Sequence, residues 1–233
     1  MENNSNMISD IAHAFSAGGI WMWAILAVQI VAIAIVVERV IALYVTRKMN
    51  QNRFARKFED EIRRGNINNV IKKAQKYSML NPLSHVILAG AESAKDFGGR
   101  EEIQAKMDQV LLDENSKLER RTGFLAMLGN VGTLLGLLGT IVGLIQAFGS
   151  VANVNPVEKA ALLTEGISLA MNTTAYGLIM AIPTLIMYAV LQNRSQRLSE
   201  DLNQGALYVY NLLTFNYESV AKKSTRSRAV SQR

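Results

Sequence analysis

Thr140 and Thr174 are hydroxyls set inside long stretches of sequence that carry no charge. Thr133 precedes the first of them, Ser168, Asn172 and Thr173 precede the second, and Glu165 stands at the edge of the second stretch. A hydroxyl offers one donor and two acceptor lone pairs. Several at a common depth can hold water or accept a hydrogen bond from a carboxylic acid. A single threonine can instead bond a carbonyl of its own helix, and residue type does not choose between the two. Little else in the chain could do chemistry. It has no cysteine, which excludes a disulfide framework, a zinc ribbon or a thiol nucleophile. His13 and His85 lie 72 residues apart with no ligand cluster around either. There is no Gly-rich phosphate loop, nucleophile elbow or Cys/His motif. No catalytic residue, metal ligand or cofactor site is read from this chain.

The elements that position the hydroxyls follow from charge and hydropathy. Formal charge is missing between Asp10 and Glu38 (His13 apart), between Arg121 and Glu158, and between Glu165 and Arg194. A hydrocarbon core about 30 Å thick needs roughly 20 apolar residues at about 1.5 Å each. All three windows suffice, so the sequence predicts an all-α integral membrane protein with three transmembrane helices and long helices extending into the cytoplasm. The spans are placed at 19–44, 123–149 and 166–192. Trp21 and Trp23 suit an interface at the start of the first span, and Glu38 and Arg39 mark its inner end. Nothing before Arg39 is basic, so the first window reads as a retained anchor rather than a cleaved signal.

The basic residues set the orientation. Segment 45–122 carries 16 Lys/Arg against 11 Asp/Glu, and the residues after 193 carry seven Lys/Arg. The first 18 residues carry none, and the connection 150–165 has only Lys159. By the positive-inside rule the N-terminal segment 1–18 and the connection are periplasmic, while the loop 45–122 and the C-terminal helix and basic tail 193–233 are cytoplasmic. The net charge of +6 is thereby accounted for without nucleic acid. Within the loop, Phe54, Phe58 and Ile62 predict one amphipathic helix, Asn81-Pro82 and Gly98-Gly99 predict breaks, and Ile103, Met107, Val110, Leu111 and Leu118 form a stripe on a helix running straight into the second span. Leu198, Leu202 and Val209 predict another helix, and the last dozen residues read as a disordered tail.

Glycine dominates the second span. Gly129, Gly132, Gly136, Gly139 and Gly143 fall within about 60° either side of Gly136 at about 100° per residue. Such a face lets helix backbones approach closely in lipid. Thr133 and Thr140 share it. In the third span Thr174, Gly177 and Ala181 lie near one face and Glu165, Ser168 and Asn172 near another. Pro183 removes one helix hydrogen bond and predicts a kink. Thr140 and Thr174 sit at similar depths. No span carries an ionisable residue near its middle, so a proton path would need a titratable group from a partner.

These runs resemble a known family. Gly136-Leu-Leu-Gly139-Thr140-Ile-Val-Gly143 is similar to the second-span signature of the MotA/TolQ/ExbB proton channel family. Gly166-Ile-Ser168, Thr173-Thr174-Ala-Tyr-Gly177-Leu and Ala181-Ile-Pro183 resemble its third-span signature, and Glu38-Arg39-Val-Ile-Ala-Leu43 the end of its first. Three spans and a cytoplasmic loop match the ExbB/TolQ branch. The resemblance implies a homo-oligomer, a pentamer, around a pore holding a one-span partner like ExbD or TolR, whose aspartate carries the proton, and work passed to a TonB/TolA-like protein. Thr140 and Thr174 match the family's pore-lining threonines. The chain departs at Leu169, where ExbB and TolQ often carry glutamate. Glu165, one turn outward, either substitutes from the outer vestibule or is a plain interfacial residue.

Two other classes compete. In a non-conducting membrane scaffold the polar residues would only hold helices together. A permease subunit fits less well with so few charges and three spans, and an enzyme lacks any visible constellation. Which process such a motor would drive, and whether protons or sodium ions drive it, is not written in the residues.

Overall fold

The computed structural model describes residues 19–45, 51–78, 81–96, 99–151 and 155–231. The predicted segment 1–18 with His13, and Arg47, Lys48 and Gly98, lie outside the described residues. Among the described residues all regular structure is helical, and three helices are long and apolar enough to cross a membrane. The helices are α1 (Gly19–Val40), passing into a π-helical turn at Ile41–Val45, then α2 (Gln51–Arg56), α3 (Glu59–Arg63), α4 (Ile67–Tyr77), α5 (Pro82–Lys95), α6 (Arg100–Glu119), α7 (Thr122–Ser150) and α8 (Pro156–Ser231). Contacts divide the chain into two compact units. One takes Met1–Val40 and Arg121–Gln192; the other takes Ile41–Arg120 and Asn193–Arg233.

The first unit holds the three apolar stretches. α1 packs on α7. Large apolar side chains remain exposed on every helix, among them Ile30 and Ile33 on α1, Leu134 and Ile145 on α7, and Ile179 and Ile186 on α8. In water such surface would be costly. In lipid the acyl chains solvate it, and close packing rather than hydrophobicity must join the helices. α8 continues as helix through Pro183. Beside the proline, the Thr184 hydroxyl donates to the Met180 carbonyl at 2.8 Å.

The second unit has an ordinary buried core. Phe54, Phe58 and Ile62 are each at most 2% exposed, and Phe54 meets Phe58 and Tyr77 edge-on at 5.2 and 5.5 Å between ring centroids. Their four-residue spacing does place them on one side, but not on the single helix it predicts. α2 ends at Arg56 and α3 begins at Glu59. Between them Lys57 N–H donates to the Phe54 carbonyl and Phe58 N–H to that of Ala55, three residues back in each case. This tighter turn still points all three side chains inward. Asn81-Pro82 does break the loop. The Asn81 side chain accepts from Leu83 N–H at 2.9 Å and Pro82 takes the first helical position, which needs no donor. On α6 Ile103, Met107 and Leu118 are buried, Val110 and Leu111 half-buried. Leu198, Leu202 and Val209 are buried too.

Two further expectations are corrected. α6 does not run straight into the second span. Arg120 turns to φ −50°, ψ 133°, and Arg121 takes the left-handed conformation at φ 65°, ψ −13°. The C-terminal residues do not leave the helix either: α8 continues to Ser231. After Gly205 the sequence contains no glycine or proline to end it.

Candidate functional site

The site is built where α7 crosses α8 within the first unit. At Gly136 and Gly177 the two helices meet backbone to backbone. A Cβ on Gly136 would lie 3.1–3.2 Å from Thr173 O, Gly177 Cα and Thr174 Cα; one on Gly177 would lie 2.8 Å from Gly132 O and 3.0 Å from Gly136 Cα. Each of these atoms is backbone and cannot rotate aside. The other glycines of the stripe face α8 as well: Gly129 toward Leu185, Gly132 toward Met180, Gly139 toward Thr173, and Gly143 toward Ala170. The glycine face therefore packs against a helix of its own chain.

At that crossing the threonines converge. The hydroxyls of Thr140 and Thr174 are hydrogen-bonded to each other. Thr174 also reaches the Gly136 carbonyl at 3.0 Å. Thr140 reaches the Gly136 and Ala170 carbonyls, both at 3.2 Å. Buried Thr173 donates to Ala170 O at 2.7 Å and approaches Gly136 O at 3.4 Å. Two paired hydroxyls own two protons and four lone pairs. Their protons have more acceptors than they can serve, so a lone pair remains for a donor arriving from outside the chain. The half-buried state of both residues leaves room for its approach.

The remaining residues singled out from the sequence scatter around this cluster. Thr133 sits about two turns away on α7 and donates to Gly129 O at 3.1 Å. Ser168 is exposed and Asn172 half-buried, and neither shares the carbonyls of the cluster. Glu165 is exposed at the rim of a cleft of about 370 Å³ that also takes in Leu169 and Thr173. At the opposite end of the spans Glu38 receives hydrogen bonds from Arg39 at 3.2 Å and from Arg121 at 2.6 Å. Arg39 is buried there. Among the described residues no group of three His, Asp or Glu could hold a metal ion.

Sequence reasoning passed over two polar residues. Gln29 stands at the centre of α1, and its side-chain oxygen accepts a 2.7 Å hydrogen bond from the Tyr176 hydroxyl of α8. One amide alone among apolar residues was the available signal, since lone polar groups in a span need a partner. The ion-pair role of Arg121 was hidden because its partner is 83 residues away.

Residues 78–204 match the sequence model of the MotA/TolQ/ExbB proton channel family. A putative biopolymer transport protein ExbB homolog of Methanothermobacter thermautotrophicus is 26% identical over 191 residues, covering 81% of this chain and 65% of that protein. The biopolymer transport protein ExbB of Pseudomonas putida is 25% identical over 191 residues, covering 77% of this chain and 58% of that protein. The chain thus spans less than two thirds of the length of either relative.

Proposed function

The chain belongs to the MotA/TolQ/ExbB proton channel family, and from that premise we propose that it is the channel-forming, stator-like subunit of a motor driven by the proton motive force in a bacterial inner membrane. In this reading the N-terminus is periplasmic and the C-terminus cytoplasmic. Five copies surround a one-span partner of the ExbD/TolR kind, and its membrane carboxylic acid carries the proton. Work passes through that partner, and through a TonB/TolA-like protein where the task is transport across the envelope. The relatives' name, biopolymer transport protein, is consistent with such a task.

One observation carries the proposal: Thr140 and Thr174 pair their hydroxyls where two glycines bring α7 and α8 together. An acid placed against them could donate to a free hydroxyl lone pair when protonated and accept a rotated hydroxyl proton when ionised. In a dry environment such compensation decides whether the charge is tolerable. Thr133, Thr173, Asn172, Ser168 and Glu165 would then line or approach the same path, and Gly129, Gly132, Gly136, Gly139, Gly143, Gly177 and Pro183 would shape its wall.

A second reading rests on the same hydrogen bonds. Every hydroxyl of the cluster already reaches a backbone carbonyl within the chain, as a non-conducting scaffold would require. The double variant Thr140→Val/Thr174→Val separates the two. It keeps shape and removes both hydroxyls, at about 1 kcal/mol of stability for each lost hydrogen bond. A channel subunit so altered should assemble, bind its one-span partner in a pull-down, and support no proton-driven growth or motility. Normal proton-driven work by the assembled variant would favour the scaffold.

A further inference from the structure

Where α1 ends and α7 begins, two arginines share one carboxylate. Arg39 Nη2 donates to Glu38 Oε1 at 3.2 Å, and Arg121 Nη1 donates to Glu38 Oε2 at 2.6 Å. The three side chains together keep a net positive charge. Arg39 is only 6% exposed, and its Nε has no hydrogen-bond partner among the described residues. Arg121 keeps 47% of its side chain exposed, so one guanidinium of the cluster is open to its surroundings. Arg39 follows Trp21 by 18 residues, about 27 Å of helix against a hydrocarbon core about 30 Å thick. Lipid phosphates begin at that depth. We propose that Arg39 and Arg121, bonded to the two oxygens of Glu38, form a site for the phosphodiester headgroup of an anionic phospholipid.

The inference goes beyond the proton-channel reading and does not depend on it. Arg121 holds the left-handed conformation at φ 65°, where a Cβ is strained and glycine is the unstrained choice. Its exposed ion pair offsets little of that strain, because solvent screens the pair. A fork of donors that fits a phosphate is something glycine cannot supply. Arg39 adds a second argument. A buried charge is costly unless its donors are met, and Glu38, already shared with Arg121, cannot balance both cations. A second anion restores the balance. The start of α7 points the same way. It has no side-chain cap, and its first residue, Thr122, is fully buried with an Oγ1 that lacks a partner among the described residues. The partial positive charge of a helix N-terminus adds to that of the arginines. Basic pockets between spans are the chemistry that recognises lipid headgroups. Val37, two residues before Arg39, and Phe124, three after Arg121, are both exposed and offer apolar surface to the acyl chains. That surface favours a lipid over a free phosphate, and the net positive charge favours an anionic headgroup over a zwitterionic one.

The test melts the purified full chain in a neutral maltoside detergent at increasing concentrations of dioleoylphosphatidylglycerol. A ligand that binds the folded chain raises the melting temperature with concentration, so the midpoint of the rise reads the affinity. Phosphatidylglycerol should give a saturable rise. Dioleoylphosphatidylcholine, and inorganic phosphate at matched ionic strength, should give little or none. Arg121→Gln should move the midpoint to about fivefold more lipid, the contribution of one arginine beside an anionic headgroup. Lys106→Gln removes an exposed charge on α6 and should leave the midpoint where it is. Glu38→Gln separates a lipid site from a purely structural ion-pair cluster. It removes the competing carboxylate, so it should lower the melting temperature without lipid and yet shift the midpoint to less lipid. The site is overturned by any of four results: no saturable rise with phosphatidylglycerol, an equal rise with phosphatidylcholine or inorganic phosphate, an Arg121→Gln midpoint no higher than that of Lys106→Gln, or a Glu38→Gln midpoint at more lipid than the wild type.

Discussion

The Tyr176 hydroxyl donates a 2.7 Å hydrogen bond to the side-chain oxygen of Gln29, tying α8 to the middle of α1. Both residues are half-buried, and neither has water to fall back on if the spans lie in lipid. α1 otherwise offers its neighbours mostly aliphatic surface, which lipid matches equally well. The bond is therefore a specific reason for α1 to sit where it does.

Removing either partner should loosen that link. Tyr176→Phe should lower the thermal stability of the detergent-solubilised chain by roughly 0.6–1.7 kcal/mol, the range for interhelical bonds between spans. Gln29→Leu alone should also lower it, because it removes the acceptor of this 2.7 Å bond. The double variant should cost less than the two singles added together, and strict additivity would show that the bond contributes nothing.

At the glycine crossing the outcome depends on what a new Cβ would touch. Gly136→Ala meets only backbone atoms at 3.1–3.2 Å, so the helices must part, at about 1–3 kcal/mol. Gly132→Ala presses mainly on the flexible Met180 side chain and should be milder. Gly149→Ala meets nothing within 4 Å and should be neutral, or stabilising by up to about 1 kcal/mol through helix propensity. Melting temperatures of the three in one detergent check the order, and Gly136→Ala as the mildest would contradict the close crossing.

How much of this was legible depends on the range of the interaction. The spans could be read because lipid imposes a length and forbids charge, and both are local properties of sequence. The glycine stripe and the two threonines could be read because helical periodicity puts them on one face. What the glycines pack against could not, since a stripe does not name its partner. Gln29 with Tyr176, and Glu38 with Arg121, join residues 147 and 83 positions apart. The turn at Lys57-Phe58 escaped for a different reason. Side-chain spacing reports the face and not the backbone, and a tight turn preserves the face while breaking the helix.

Orientation has a direct test, because the basic residues are so unevenly placed. A reporter fused after Arg233 should be active only as a cytoplasmic protein, and one inserted at Asn155 only as a periplasmic one. The converse pattern would invert the topology and with it the side from which protons enter.

The second unit should respond to acid through two carboxylates. A hydrogen bond from Lys73 at 2.7 Å holds Glu61 below the usual carboxylate pKa. One from the Tyr208 hydroxyl at 2.5 Å, with Arg63 second, does the same for Glu59. A carboxyl whose pKa is depressed on folding stabilises the fold above its unfolded pKa, and that stability is lost as pH falls through the folded value. Glu61→Gln and Glu59→Gln should therefore melt below the wild type at neutral pH. The gap should close below the ordinary carboxylate range; a constant gap would mean that packing rather than charge was lost.

Arg121 sets two effects against each other. It is the single non-glycine residue with positive φ among the described residues, a conformation costing roughly 1–2 kcal/mol for a residue with a Cβ. Its guanidinium also pairs with Glu38 at 2.6 Å, and with both side chains more than 40% exposed solvent screening keeps the contribution of such a pair small. Arg121→Ala keeps the strain and loses the pair, so it should destabilise by no more than the pair contributes. Arg121→Gly loses the pair but relieves the strain. It should match or exceed the wild type in thermal stability, and should exceed Arg121→Ala by about 1 kcal/mol. Glu38→Gln isolates the ion-pair share and should fall close to Arg121→Ala. If Arg121→Gly falls below the wild type while still exceeding Arg121→Ala, the ion pair outweighs the backbone strain; if it does not exceed Arg121→Ala, the left-handed conformation at this position carries no strain for glycine to relieve.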